Sequence, residues 1–218
     1  MNITACLFDL DGVLVDTAKY HYWAWRRLAH ELGFDFLEAD NERLKGVSRM
    51  ASLEILLEVG GIANVGAQEK WVMAEKKNGW YLDYISQMTP KEVLPGVLTF
   101  VHELKAAGIK LAVGSVSRNA GTILQRVQMA SLFEVVIDGN KIARAKPDPE
   151  VFLLGARELG VLPSECLVFE DAAAGIEAAI NAGMKSVGIG DPVILHRATT
   201  VISGFQHTTW KQITQLIS

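Results

Sequence analysis

Phe8-Asp9-Leu10-Asp11-Gly12-Val13 closes the apolar run that begins at Ile3, and its two carboxylates decide how the chain is read. Alternation along an extended chain puts Asp9 and Asp11 on the same side of it. A helix cap or an Asp-Gly turn accounts for Asp11-Gly12. It leaves Asp9 as a costly charge at the end of an apolar strand. In an open α/β sheet, the carboxyl end of a strand is where ligands sit.

Strand-length apolar runs recur at Ile109 to Gly114, Phe133 to Ile137 and Cys166 to Phe169, with a weaker one at Ser186 to Ile189. Most are apolar on successive residues, as in a parallel sheet covered on both faces. Helical stripes separate them. They fall at Val97, Phe100, Val101 and Leu104; at Ile123, Leu124 and Val127; at Val151, Phe152, Leu154 and Leu159; and at Ile176, Ala179 and Ile180. Gly108, Gly160 and Gly183 stand where helices stop. The alternation predicts a doubly wound, Rossmann-like α/β core built on a parallel sheet. Thr17 to Pro90 interrupts it, with no convincing strand and with stripes at Trp23, Arg26, Arg27 and His30, at Leu53, Leu56 and Leu57, and at Trp71, Ala74 and Glu75. Asp16-Thr17 offers a cap for the first of these helices. So long a helical block is no loop. We expect an inserted all-helical cap domain over 17–90, with 1–16 and 91–218 forming the core.

The 218 residues are 50% hydrophobic, with 21 Lys and Arg against 25 Asp and Glu, a net charge of −4. That balance excludes a disordered chain and offers no basic face for nucleic acid or an anionic membrane. No stretch approaches a membrane span, and Asp9 ends the first apolar run too early for a signal peptide, so we expect a cytoplasmic monomer. Cys6 and Cys166 lie in apolar runs and read as buried thiols. No G-x-G-x-x-G or G-x-x-x-x-G-K occurs, and Asn181-Ala-Gly-Met-Lys-Ser has the wrong glycine spacing for a P-loop.

Three further groups fall at the same sheet edge: Gly114-Ser115-Val116-Ser117 after the second strand, Lys146-Pro147-Asp148-Pro149 after the third and Glu170-Asp171 after the fourth. Singly, each reads as an ordinary turn or surface feature. Together, in chain order, they set a hydroxyl, a lysine and a second acidic pair beside Asp9 and Asp11.

This series, with D-x-D-G-V first, resembles the haloacid dehalogenase-like hydrolase superfamily from Ile3 to about Asp191. DLDGVLVDTAKYHYWAW from Asp9 and LKGVSR at Leu44 to Arg49 narrow the resemblance to its sugar-phosphate mutases. The resemblance implies an enzyme that interconverts β-D-glucose 1-phosphate and D-glucose 6-phosphate through the 1,6-bisphosphate. Asp9 is then the nucleophile and Asp11 the acid and base. Mg²⁺ is held by Asp9, the main-chain carbonyl of Asp11, Glu170 and Asp171. Ser115 and Lys146 bind the transferring phosphoryl group. His21, Lys45, Gly46, Val47, Ser48, Arg49 and Lys77 come from the cap to the substrate, with Val116, Ser117 and Asn119 from the core. Arg49 grips the phosphate that is not being transferred, a task that suits a guanidinium fork. The turn departs from the family at Val116, where a smaller residue is expected, and at Arg118, often lysine. Both bear on substrate preference. A sugar-phosphate phosphatase of the same superfamily is the nearest alternative, and LKGVSR is the feature that argues against it. A sensor without catalysis is the other, opposed by the complete set Asp9, Asp11, Lys146 and Asp171.

Overall fold

β1 (Ala5–Phe8) carries four consecutive buried residues, because both faces of the sheet that it enters are covered. The computed structural model describes residues 3–44 and 47–217. Within them β1 pairs in parallel with β2 (Lys110–Gly114) on one side and β4 (Cys166–Glu170) on the other. β3 (Val135–Ile137), β5 (Lys185–Ile189) and β6 (Thr200–Ile202) extend the parallel sheet to the order β3-β2-β1-β4-β5-β6. The chain direction reverses its winding at β1, so the switch point falls at Asp9.

Alternation along the strands divides the core in two. Cys6, Phe8, Leu111, Val113, Leu167 and Phe169 face one layer, while Ala5, Leu7, Ala112, Cys166 and Val168 face the other. The first layer is closed by α5 (Val97–Ala106), α6 (Ala120–Arg126) and α9 (Trp210–Leu216), the second by α7 (Glu150–Leu159) and α8 (Ala173–Asn181). Phe8 and Phe169 stack at 4.7 Å, and Phe100 and Phe205 pack on Phe169 at 5.5 and 5.6 Å. Both cysteines are buried free thiols, as expected.

The helical block contains α1 (Ala18–Glu31), α2 (Glu38–Asn41), α3 (Arg49–Val59) and α4 (Ala67–Ser86). Trp25, Leu28, Phe36, Leu53, Leu56 and Ala74 give it a cluster of its own, while Tyr20, Tyr81 and Ile85 join the α/β core. The two chain crossings lie side by side: Asp16 N–H donates to the Glu92 carbonyl at 2.9 Å, and Leu94 N–H to the Leu14 carbonyl at 3.0 Å. No helix among the described residues is long and apolar enough to cross a membrane.

Two local expectations are corrected, and two elements were not foreseen. Trp23, Arg26, Arg27 and His30 form the exposed face of α1; its buried face is Tyr20, Ala24, Trp25, Leu28 and Ala29. Thr17 stands at the N-cap of α1, yet its hydroxyl donates to Asp11 Oδ1 instead of accepting from the helix. β6 and α9 carried no expectation. β6 is three half-buried residues at the sheet edge, too short for an apolar run to declare itself.

Phe100 sits wholly inside the aromatic cluster and far from any titratable group of the first motif in sequence. Phe100→Ala should cost about 3–5 kcal/mol through lost burial and the cavity left behind. Urea unfolding should show a matching drop in midpoint with an unchanged slope.

Candidate active site

Parallel pairing sets the first two acidic motifs together. The register aligns Phe8 with Phe169, so Asp9 and Glu170 leave neighbouring strands at the same level. Asp9 N–H still donates to the Phe169 carbonyl at 2.9 Å. The chain then turns, with Gly12 at φ +80°, a left-handed conformation that a side chain resists. A Cβ there would also lie 2.2 Å from Asp171 Oδ2.

Lys146, from the loop before α7, places its ammonium between two carboxylates. It donates to Asp9 Oδ1 at 2.5 Å and to Glu170 Oε2 at 2.8 Å, and all three groups are buried. Burial alone would lower the lysine; Asp9 and Glu170 outweigh it and hold the ammonium charged. Glu170 is pushed up to about 8 by burial and by its neighbours Asp9 and Asp171, against the pull of Lys146. Asp11 is pushed up to about 6 by burial first and by Asp9 second, while the Thr17 hydroxyl restrains it. Asp11 is therefore suited to carry a proton.

Asp9, Glu170 and Asp171 each offer an oxygen, all within 4.8 Å of one another. A set made wholly of carboxylate oxygens suits a hard divalent cation. Gly175 guards that set from beneath: a Cβ there would fall 2.0 Å from the Glu170 carboxyl carbon.

One cavity of about 370 Å³ joins these carboxylates to the helical block. From the core come Asp9, Asp11, Val116, Ser117, Arg118, Asn119 and Asp171; from the block come His21, Val47, Ser48, Arg49 and Lys77. Lys77 is buried 2.9 Å from His21 Nδ1. Burial, Arg49 and a weaker opposing pull from Asp11 leave its ammonium well below the usual lysine range. Burial, then Lys77 and Arg49, lower His21, which keeps the ring neutral and able to accept from Lys77. Ser48 caps α3, its Oγ accepting from Ala51 N–H, so Arg49 begins the helix at the cavity wall. Arg49 donates to Glu75 at 2.5 Å. Burial chiefly, and then the like charge of Arg118, lower the Arg49 guanidinium. Asn119 reaches across to Asn78 at 3.4 Å, tying core to block.

Among the sequence-predicted residues, Ser115 is fully buried at the end of β2 and does not line the cavity; its Oγ accepts from Ser117 N–H at 3.1 Å. Lys45 and Gly46 lie outside the described residues. Trp25, Glu75 and Asn78 line the cavity without having been singled out as site residues. Helical spacing carried the signal: Trp25 follows His21 by four, and Glu75 and Asn78 continue the Trp71 stripe by four and three. Gly175→Ala should displace Glu170 and weaken any divalent-cation binding at the cluster about 10- to 100-fold by calorimetric titration, with a cooperative melt retained. Unchanged affinity would remove Glu170 from the cation's surroundings.

Residues 3–183 match the haloacid dehalogenase-like hydrolase family. The β-phosphoglucomutase of Bacillus subtilis (strain 168) is 39% identical, over 95% of this chain and 96% of that protein. The crystal structure of β-phosphoglucomutase from Clostridium difficile superposes with a TM-score of 0.93 at 40% identity, covering 99% of this chain and 97% of that one. A phosphorylated carbohydrates phosphatase of Thermotoga maritima is 33% identical over 84% of this chain and 83% of its own. Sheet order, carboxylate cluster and sequence similarity agree, and the chain belongs to the haloacid dehalogenase-like hydrolase family.

Proposed function

We propose that this enzyme is a phosphomutase interconverting β-D-glucose 1-phosphate and D-glucose 6-phosphate through enzyme-bound β-glucose 1,6-bisphosphate. The observation that carries the reading is a single cavity lined by Asp9, Asp11 and Asp171 and also by Arg49 and Arg118, which suits a substrate with two phosphates. Asp9, backed by the buried Lys146 and Glu170, marks one place; Arg49 and Arg118, with the N-terminus of α3, mark the other. Glu75 holds Arg49 at the cavity wall, and a phosphate there would meet the guanidiniums of Arg49 and Arg118. The full-length likeness to β-phosphoglucomutases supports the same reading.

In this reading Asp9 attacks the phosphorus of one phosphate and forms an acyl phosphate, and the P–O bond to the sugar breaks. Asp11 gives its proton to the departing sugar oxygen. That monophosphate leaves and one phosphorylated at the other position enters; its free hydroxyl attacks the Asp9 phosphate while Asp11 takes the proton back, and the bisphosphate so formed turns over to present its other phosphate to Asp9. Lys146 offsets charge on the transferring group, and Ser115 holds the turn that supplies Ser117 and Asn119 to the distal phosphate. Mg²⁺ would be held by Asp9, the Asp11 carbonyl, Glu170 and Asp171, and when bound it would neutralise charge on the phosphoryl oxygens. Val116 narrows the sugar's space, and Lys45 and Gly46 extend the LKGVSR grip.

The domain division follows. Residues 17–90 act as a cap on a core of 1–16 and 91–218, hinged where the two crossings are hydrogen-bonded side by side. Closure keeps water from the acyl phosphate until a sugar hydroxyl reaches it. A cytoplasmic monomer acting on small sugar phosphates completes the reading.

Asp11→Ala should lower turnover of the sugar phosphates about 10²- to 10⁴-fold, and spare an activated ester whose leaving group needs no proton. Equal losses on both would remove Asp11 from the proton's path. Arg49→Ala should cut isomerisation about 10- to 100-fold and leave acetyl phosphate hydrolysis near its starting rate. Intact isomerisation in that variant would favour the phosphatase.

A further inference from the structure

Buried polar atoms in folded proteins are nearly always paired, so one that is not calls for a reason. Among the described residues three such atoms stand without a partner: Thr4 Oγ1, Tyr81 Oη and Asn41 Oδ1. Of the three residues, Asn41 alone lines the substrate cavity. It ends α2, is 9% exposed, and stands shortly before Leu44, another buried residue of the same wall. Other neutral polar groups of the cavity are engaged with the protein. Ser48 Oγ accepts from Ala51 N–H, Ser117 Oγ accepts from Asn119 N–H at 3.3 Å, and the Asn119 amide meets that of Asn78.

An amide carbonyl accepts hydrogen bonds and never donates them. A phosphate dianion brings no proton to such a group, whereas a sugar hydroxyl does. We propose that Asn41 accepts a hydrogen bond from a ring hydroxyl of the substrate, and so reads the sugar where Arg49 and Arg118 read only its phosphate. The inference rests on the reading of this cavity as a sugar-phosphate site. The carbonyl is shut off from water, and an unpaired acceptor so placed costs stability. The terminal torsion of an asparagine is broad, so a donor entering the cavity draws the carbonyl toward it at little cost. A sugar that lacks the matching hydroxyl leaves the acceptor unpaired, which makes Asn41 a specificity-determining residue.

Calorimetric titration of an Asp9→Asn parent, which holds the substrate without turnover, reads the contact at equilibrium. The probes are inorganic phosphate, glucose 6-phosphate and its 1-, 2-, 3- and 4-deoxy forms. Adding Asn41→Ala should weaken glucose 6-phosphate about 3- to 10-fold and leave inorganic phosphate unchanged. One deoxy form should bind the parent and the Asn41→Ala protein alike, because its partner hydroxyl is already gone. Asn41→Leu, which fills similar space without an acceptor, should weaken glucose 6-phosphate equally while the urea midpoint falls no lower than the parent's. A loss spread evenly over all five sugars would overturn the contact, as would unchanged affinity for glucose 6-phosphate in both variants. A parent that binds inorganic phosphate but not glucose 6-phosphate would overturn the sugar-phosphate reading together with it.

Discussion

A buried ammonium between two buried carboxylates is the constraint on which the rest of the site depends. Lys146 is enclosed by the protein and has Asp9 and Glu170 as its partners. Charges removed from water are tolerated only with such pairing, and loss of one partner leaves an uncompensated charge in the interior. The contact ties three separate parts of the chain, the ends of β1 and β4 and the loop before α7, to one point. It also polarises the roles of the acids. Asp9 accepts a hydrogen bond from the lysine, while Asp11, buried beside it and bonded to Thr17, is shifted toward the neutral form. Two carboxylates two residues apart are thereby given different chemistry by their surroundings.

The helical block completes what the sheet begins. His21, Lys77 and Arg49 bring positive and neutral donors to a cavity whose floor is acidic. Lys77 lies under the rings of Trp25 and Tyr81, at 4.5 and 4.8 Å, which places its charge against aromatic faces as well as His21. Burial and Arg49 lower that ammonium, and Asp11 opposes them only weakly. Closure and charge are in this way coupled: the block carries cations that are best placed when the core carboxylates, or a bound phosphate, stand opposite.

Much of this was legible in the sequence. Consecutive apolar residues gave away a sheet covered on both faces, and the position of Asp9 at a strand end could be read because a charge there needs a reason. The acidic pair at Glu170-Asp171 and the lysine before Pro147 read singly as ordinary features and became visible only as a series along one sheet edge. What periodicity missed is equally physical. Trp23 and Arg26 were read as a stripe, but an exposed tryptophan beside arginine covers surface as well as a buried one covers core; Arg27 packs its guanidinium over Trp80 at 4.2 Å on the outer face. Thr17 was read as a helix cap, since short polar residues before a helix usually serve there, and only the fold reveals Asp11 as a stronger claimant for its hydroxyl. Gly175 carried no signal at all. Its role lies in an absent Cβ beside Glu170, a contact between neighbours that no spacing rule describes.

The central claim is that Asp9, held by Lys146, carries the phosphoryl group between the two halves of the reaction. Rapid acid quenching of the enzyme with β-glucose 1,6-bisphosphate, followed by mass spectrometry of its peptides, tests this most directly. The account predicts one phosphoryl group on the peptide containing Asp9, and none on that of an Asp9→Asn variant, which keeps the shape of the side chain without its nucleophilic oxygen. A phosphoryl group on another residue, or one that persists in the variant, would contradict it.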